Sequence, residues 1–324
     1  MFTLAVKALK ATLLLALLLM ASAQAKQLSF VKKMHDDYYH FSYQWLDHDK
    51  VHQTLNFNLT KPALFERFRV LKPYQGEFAQ RVVLRAIRKQ LNQQPLKEVQ
   101  VIFKQHQGKT AIQVEGVNEE AVASAHKKIK EIEQEATKAY FKKNYYQPFT
   151  THDQQTGIKV DHVNIAMESV VDFKPLKPII LEKVSIEGVR KATNFVLSFI
   201  QSIPYSTLES RVTSSGAGFN PPAKLLWENQ GDCDSKMTLT ATMLRTLMPR
   251  IEMAMIYIDE HAFMGIATPA KAGEMSITYQ GINYLLAEPT GPALYKLGTL
   301  APESELAINQ GRYTVEAFHS DGSL

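Results

Sequence analysis

Cysteine is nearly absent from this chain. A single residue, Cys233, occurs among 324, so no disulfide can cross-link the fold internally and stability must come from an apolar core. Long apolar runs are missing beyond the first 25 residues, which excludes a multispanning membrane protein. Charge of one sign does not dominate. The 37 basic residues face 32 acidic ones, and two of the basic residues, Lys7 and Lys10, lie in the first 25. A formal excess of +5 on this length argues against a specific nucleic-acid partner. No fixed-period repeat and no low-complexity tract occurs, which excludes solenoids and long disordered segments. The hydrophobic fraction of 45% is that of an ordinary globular chain, long enough for one large domain or two average ones.

Residues 1–25 read as a secretory signal peptide. Lys7 and Lys10 supply the positive end, Ala11–Met20 an apolar core of ten residues, and Ala23-Gln24-Ala25 a small-x-small cleavage site before Lys26. That core is half the length of a membrane span. The expectation is cleavage, no transmembrane span afterwards, and a periplasmic or secreted product.

Two regions follow, 26–175 and 176–324, divided softly near Leu176-Lys177-Pro178. In the first, Tyr38–Trp45 and His52–Thr60 alternate as strands, the second with Leu55, Phe57 and Leu59 on one face. Phe78–Leu91 has helical spacing, and Val99–Phe103 and Thr110–Val114 flank a Gln107-Gly108 turn. Asn118–Asn144 reads as a long charged helix with Asn118 as its cap and a lysine-rich, solvated later half. Strand signals recur at Gly157–Ile165. In the second region a helix starts near Thr193 or Asn194, either of which can cap it. A loop from Arg211 to Pro222, a short helix over Ala223–Glu228 and a helix from Cys233 to about Met248 come next. Strands are expected at Ile251–Ile258, Ala262–Ala267, Met275–Tyr279, Asn283–Ala287 and Tyr313–Phe318. Helices followed by antiparallel strands make the fold class α+β.

The chemistry gathers in this second region. Cys233 opens a helix, where unpaired N–H groups and the helix dipole favour thiolate over thiol, and Gly231 allows a tight backbone approach to it. A thiolate needs a proton shuttle, and His261 at the start of a strand can supply one. The imidazole in turn needs an acceptor. Glu288 ends a strand expected to lie beside that of His261, so the order is Cys, His, acid. Asp259 and Glu260 are alternative acids but adjoin His261 in a strand, where neighbours point to opposite faces. Asp232 is the expected helix cap. For an oxyanion hole the backbone N–H of Cys233 would be joined by a donor from Trp227, Asn229 or Gln230, among which the sequence does not choose. The remaining histidines, including His35, His40, His48 and His52, lack metal-ligand spacing, so neither metal nor cofactor is expected. Asn58-Leu59-Thr60 matches a glycosylation sequon, a pattern frequent by chance.

The run Gly231-Asp232-Cys233-Asp234-Ser235-Lys236, then His261-Ala262-Phe263, then Tyr284-Leu285-Leu286-Ala287-Glu288-Pro289-Thr290 resembles the bacterial transglutaminase-like cysteine peptidase superfamily. The resemblance covers roughly 176–300 and leaves 26–175 without a role. It implies a papain-like core in 176–324, with the Cys-bearing helix packed on an antiparallel sheet that carries the His and the acid. The acid in that family is most often Asp, whereas here it is Glu288. The implied activity is a cysteine peptidase cleaving an amide of a cell-envelope protein or peptide through a thioester. Two other readings stay open: a protein cross-linking transglutaminase, which would use the same triad, and a binding or assembly module with a vestigial triad.

Overall fold

The computed structural model describes residues 26–106, 109–184, 188–210 and 218–320. The expected signal peptide, the Gln107-Gly108 turn and positions 211–217 of the expected loop lie outside the described residues. The fold is mixed α+β with antiparallel sheets. It divides into two compact units. One holds residues 26–69, 150–155 and everything from 162 onward, and the other holds 70–149 and 156–161.

The first unit begins with a meander of β1 (Lys26–Met34), β2 (Tyr38–Leu46) and β3 (His52–Thr60). Strands β2 and β3 pair without interruption from Tyr38↔Thr60 to Leu46↔His52. Their alternation therefore puts Phe41, Tyr43, Trp45, Leu55, Phe57 and Leu59 on one buried face. Thr60 then caps the short helix α1 (Lys61–Phe65) by accepting from the Ala63 N–H.

The second unit comprises α2 (Gly76–Gln93), β4 (Val99–His106), β5 (Lys109–Gly116), α3 (Glu119–Asn144), β6 (Tyr146–Thr150) and β7 (Thr156–Val160). Asn118 caps α3, accepting from Ala121 N–H at 2.8 Å. Glu119 and Glu120 in the first turn and Lys142 and Lys143 in the last suit the helix dipole. Val83, Ile87 and Leu91 of α2 pack on Ile129 and Ile132 of α3.

The first unit resumes with α4 (His162–Phe173), α5 (Leu176–Val184), α6 (Val189–Ser202), α7 (Pro222–Glu228) and α8 (Cys233–Leu247). Then follow β8 (Met253–Ile258), β9 (His261–Ile266), β10 (Ser276–Tyr279), β11 (Ile282–Ala287), α9 (Pro302–Asn309) and β12 (Thr314–Phe318). These five strands form one sheet in the order β10-β11-β9-β8-β12. Gly188 precedes α6 without a side-chain cap, so neither Thr193 nor Asn194 caps it. Asn194 instead accepts from the Leu297 N–H at 2.8 Å. The strand signal at Gly157–Ile165 is split: β7 ends at Val160 and α4 starts at His162.

The second unit lies wholly before residue 175, and the first has residues on both sides of it. The N-terminal meander is part of the first unit because its apolar face needs a cover, and α6 and α7 provide it. The Trp45 indole donates to Ser198 Oγ at 3.0 Å and packs on Phe195 and Phe199. The Tyr43 hydroxyl donates to Leu226 O at 2.8 Å.

Helix α8 is buried on every side from Ser235 to Leu247, although it carries four threonines after Ser235. Thr238, Thr240, Thr242 and Thr246 each donate to the carbonyl four residues earlier, at 2.7–2.9 Å. A hydroxyl satisfied within its own helix can be buried at little cost. Arg245, also buried, donates to Pro249 O, Ile251 O and Phe318 O.

Candidate active site

The site is assembled from the start of α8 and the ends of two strands. Asp232 caps α8, its Oδ1 accepting from Ser235 N–H at 3.0 Å. Cys233 is thereby placed at the first helical position, beside the open N–H groups of the first turn. The approach is fixed from behind. Gly231 bonds the 204–206 segment through Gly231 N–H to Pro204 O at 3.3 Å and Ser206 N–H to Gly231 O at 3.1 Å. A Cβ on Gly231 would lie 2.7 Å from a Leu225 methyl, so the close approach needs glycine.

Strands β8 and β9 pair through Ile258↔His261 across the Asp259-Glu260 turn, and Glu260 takes a positive φ of 57° there. Strand β11 pairs with β9 up to Ala287↔Met264. One residue further, Glu288 lies beside the His261 end of β9. His261 Nε2 is 2.7 Å from Glu288 Oε1, and Cys233 lies near enough to the imidazole to influence its charge. Burial of His261 disfavours its charged form. Interaction with Cys233 and the hydrogen bond to Glu288, together with the charges of both, outweigh that and push its pKa up to about 10. At neutral pH the ring is an imidazolium.

No family model, curated protein or solved structure matches the chain.

The structure brings Cys233, His261 and Glu288 together and separates the alternative acids from them. Asp259 accepts from Arg312 at 2.8 Å on the surface, and Glu260 is exposed in the turn. Two of the three oxyanion candidates are turned to other tasks. Trp227 packs edge-on against Tyr39 and Phe65, with the Lys32 ammonium 3.7 Å above its ring. Asn229 is paired at both side-chain heteroatoms with the amide of Gln27. The Gln230 backbone carbonyl accepts from Asn220 Nδ2 at 3.4 Å. Sequence reasoning could not see the contacts of Trp227 and Asn229, because their partners lie more than 160 positions earlier.

Ser304, in the first turn of α9, is a residue the sequence did not mark. Its hydroxyl donates to Glu288 Oε2 at 3.0 Å. Glu288, 1% exposed, thus has one oxygen on the imidazole and the other on a buried hydroxyl. The acids flanking the nucleophile differ in role. Asp232 is the cap. Asp234 Oδ1 lies 4.0 Å from the Cys233 sulfur, and its other oxygen lies 3.6 Å from His162 Nε2. Lys236 is fully buried and donates to Ile203 O at 2.5 Å. Its burial, only partly offset by the charge of Asp232, lowers its pKa to about 7.

Among the described residues no group of three or more His, Cys, Asp or Glu side chains converges as a metal site. Among them too, no helix is long and apolar enough to cross a membrane.

Proposed function

We propose that the chain is an exported thiol enzyme of the transglutaminase-like, papain-like type, acting on an amide of a protein or peptide in the cell envelope. One observation supports this above the rest. A buried carboxylate sits 2.7 Å from an imidazole that lies near Cys233, at the start of a 15-residue helix. A structural cysteine needs no such partners.

In the proposed reaction the Cys233 sulfur acts as a thiolate beside the imidazolium, whose Nε2–H donates to Glu288. The sulfur attacks the amide carbonyl, forming a C–S bond, and the carbonyl electrons move to oxygen. The Cys233 N–H is the donor assigned to that oxyanion. The Nδ1 proton passes to the departing nitrogen as the C–N bond breaks, leaving a thioester and a neutral imidazole. His261 then takes a proton from water, which attacks the thioester and releases the acid and the thiolate. An amine in place of water would give transamidation with the same residues. The family resemblance favours water.

The test uses the chain from Lys26 onward with a peptide library and a free amine, read by mass spectrometry, alongside iodoacetamide labelling of native Cys233. Hydrolysed fragments and rapid native labelling are expected. Isopeptide adducts would replace peptidase with transglutaminase. No product, with labelling only after denaturation, would overturn the proposal in favour of a binding module.

A further inference from the structure

The backbone of the triad acid is held as firmly as its side chain, and by residues outside the triad. Gln201, buried near the end of α6, donates through Nε2 to Glu288 O at 2.7 Å and to Tyr295 O at 2.9 Å. Both partners are carbonyls and can only accept, so this atom must be the amide nitrogen. Gln201 Oε1 therefore faces His48, whose Nε2 lies 3.0 Å from it and 3.0 Å from Tyr295 O. Facing two acceptors, His48 Nε2 must carry its proton. Two side chains, each in the only orientation its neighbours allow, join the β2–β3 loop to the acid.

A second observation concerns the same stretch of chain. A Cβ placed on Gly291 would lie 2.2 Å from Gln201 O, so the 288–295 segment is seated directly on the end of α6. Glu288 departs from the regular ladder at Ala287, and strand pairing no longer sets its position. Gln201 does so instead.

We infer that Gln201 is a positioning residue for Glu288, and that His48 is the latch that fixes the Gln201 amide. The inference rests on the proposed triad. It gives the N-terminal meander a part in the active site: through His48, the β2–β3 loop sets where the Glu288 carboxylate meets His261.

The experiment measures the pH profile of iodoacetamide alkylation of Cys233 in the chain from Lys26. Gln201→Met keeps the side-chain length and loses both hydrogen-bonding atoms. It should slow alkylation at neutral pH by about tenfold, the scale of one buried hydrogen bond, and move the profile in the same sense as Glu288→Gln. His48→Leu should give a smaller loss in the same direction. His48→Gln should recover most of that loss, because its amide nitrogen can reach the position of Nε2. The His48 pair decides the matter if Gln201→Met does not fold. A wild-type profile in folded Gln201→Met, or equal profiles in His48→Leu and His48→Gln, would overturn the inference, provided that Glu288→Gln shifts the profile. If neither Glu288→Gln nor His261→Ala changed it, the triad reading itself would fail.

Discussion

Glu288 Oε1 lies 2.7 Å from His261 Nε2 while its Oε2 accepts from Ser304 Oγ at 3.0 Å. Each oxygen of a buried carboxylate therefore has its own donor. An acid held at both oxygens can orient an imidazole without rotating away from it.

Replacing the carboxylate by an amide tests this directly. Glu288→Gln keeps the shape but presents N–H₂ towards Nε2 or Ser304, removes the charge partner of the imidazolium and favours the wrong tautomer. Turnover should fall by about 10–1,000-fold, less than for the corresponding change in a serine triad because the thiolate–imidazolium pair is already partly formed. Glu288→Asp should lose less. Steady-state kinetics on one peptide, with unfolding curves as a control, decide it. Full turnover in Glu288→Gln, with Cys233→Ser inactive, would move the acid's role elsewhere.

Ser304→Ala separates support from orientation. It leaves one carboxylate oxygen of Glu288 buried without this donor, which should lower stability by about 1–3 kcal/mol. Turnover should fall less than in Glu288→Gln, since the bond to His261 remains. Urea unfolding and kcat are the readouts. A variant as stable as wild type would show that Oε2 finds another donor.

Between pH 7 and 10 the stability should contain two opposing contributions. His261 has its pKa raised from 6.5 to about 10, so the folded state holds the proton that the unfolded state releases. Its contribution is complete below about pH 6.5 and is lost as pH rises towards 10. Lys236 has its pKa lowered from 10.5 to about 7. Between these values the unfolded chain binds the extra proton, and stability rises with pH. Lys236→Met removes the rising contribution, so its stability should fall more steeply than wild type between pH 7 and 10. Urea midpoints across that range check the sign, and a slope equal to wild type would mean that Lys236 is not titrating there.

What could be read beforehand follows from how local each signal is. Strand β3 and helix α3 carry their own punctuation, strict alternation in one and the Asn118 cap in the other, and both have the expected extents. The meeting of His261 and Glu288 was legible because both lie at strand ends, whose neighbourhood follows from antiparallel pairing. Strand β1 was not expected: it is an edge strand, largely exposed, whose side chains show no clean alternation. Helix α4 was obscured because its first turn follows β7 within two residues. Burial around the whole of α8 was hidden by threonines, whose hydroxyls bond within the helix. Ser304, Gln201 and His48 gave no signal because their roles arise only from contacts across 16 to 247 positions.

The same long-range packing yields the last prediction. If residues 176–324 formed an independent catalytic domain, they would fold when expressed alone. The structure argues otherwise, because the apolar side of α6 that faces the meander would be uncovered. Phe195 and Phe199 would lose the Trp45 ring, Leu226 O its bond from Tyr43, and Gln201 its contact with His48. A fragment starting at residue 176 should therefore be insoluble or molten, with weak near-ultraviolet dichroism and exposed hydrophobic surface. Within the chain from Lys26, Trp45→Ala should cost about 3–5 kcal/mol, the range for deleting a large buried aromatic side chain. Urea unfolding of that variant and dye binding by the fragment are the measurements. A cooperatively folded fragment with normal Cys233 reactivity would show that the meander is dispensable, and would also remove the basis for placing His48 in the active site.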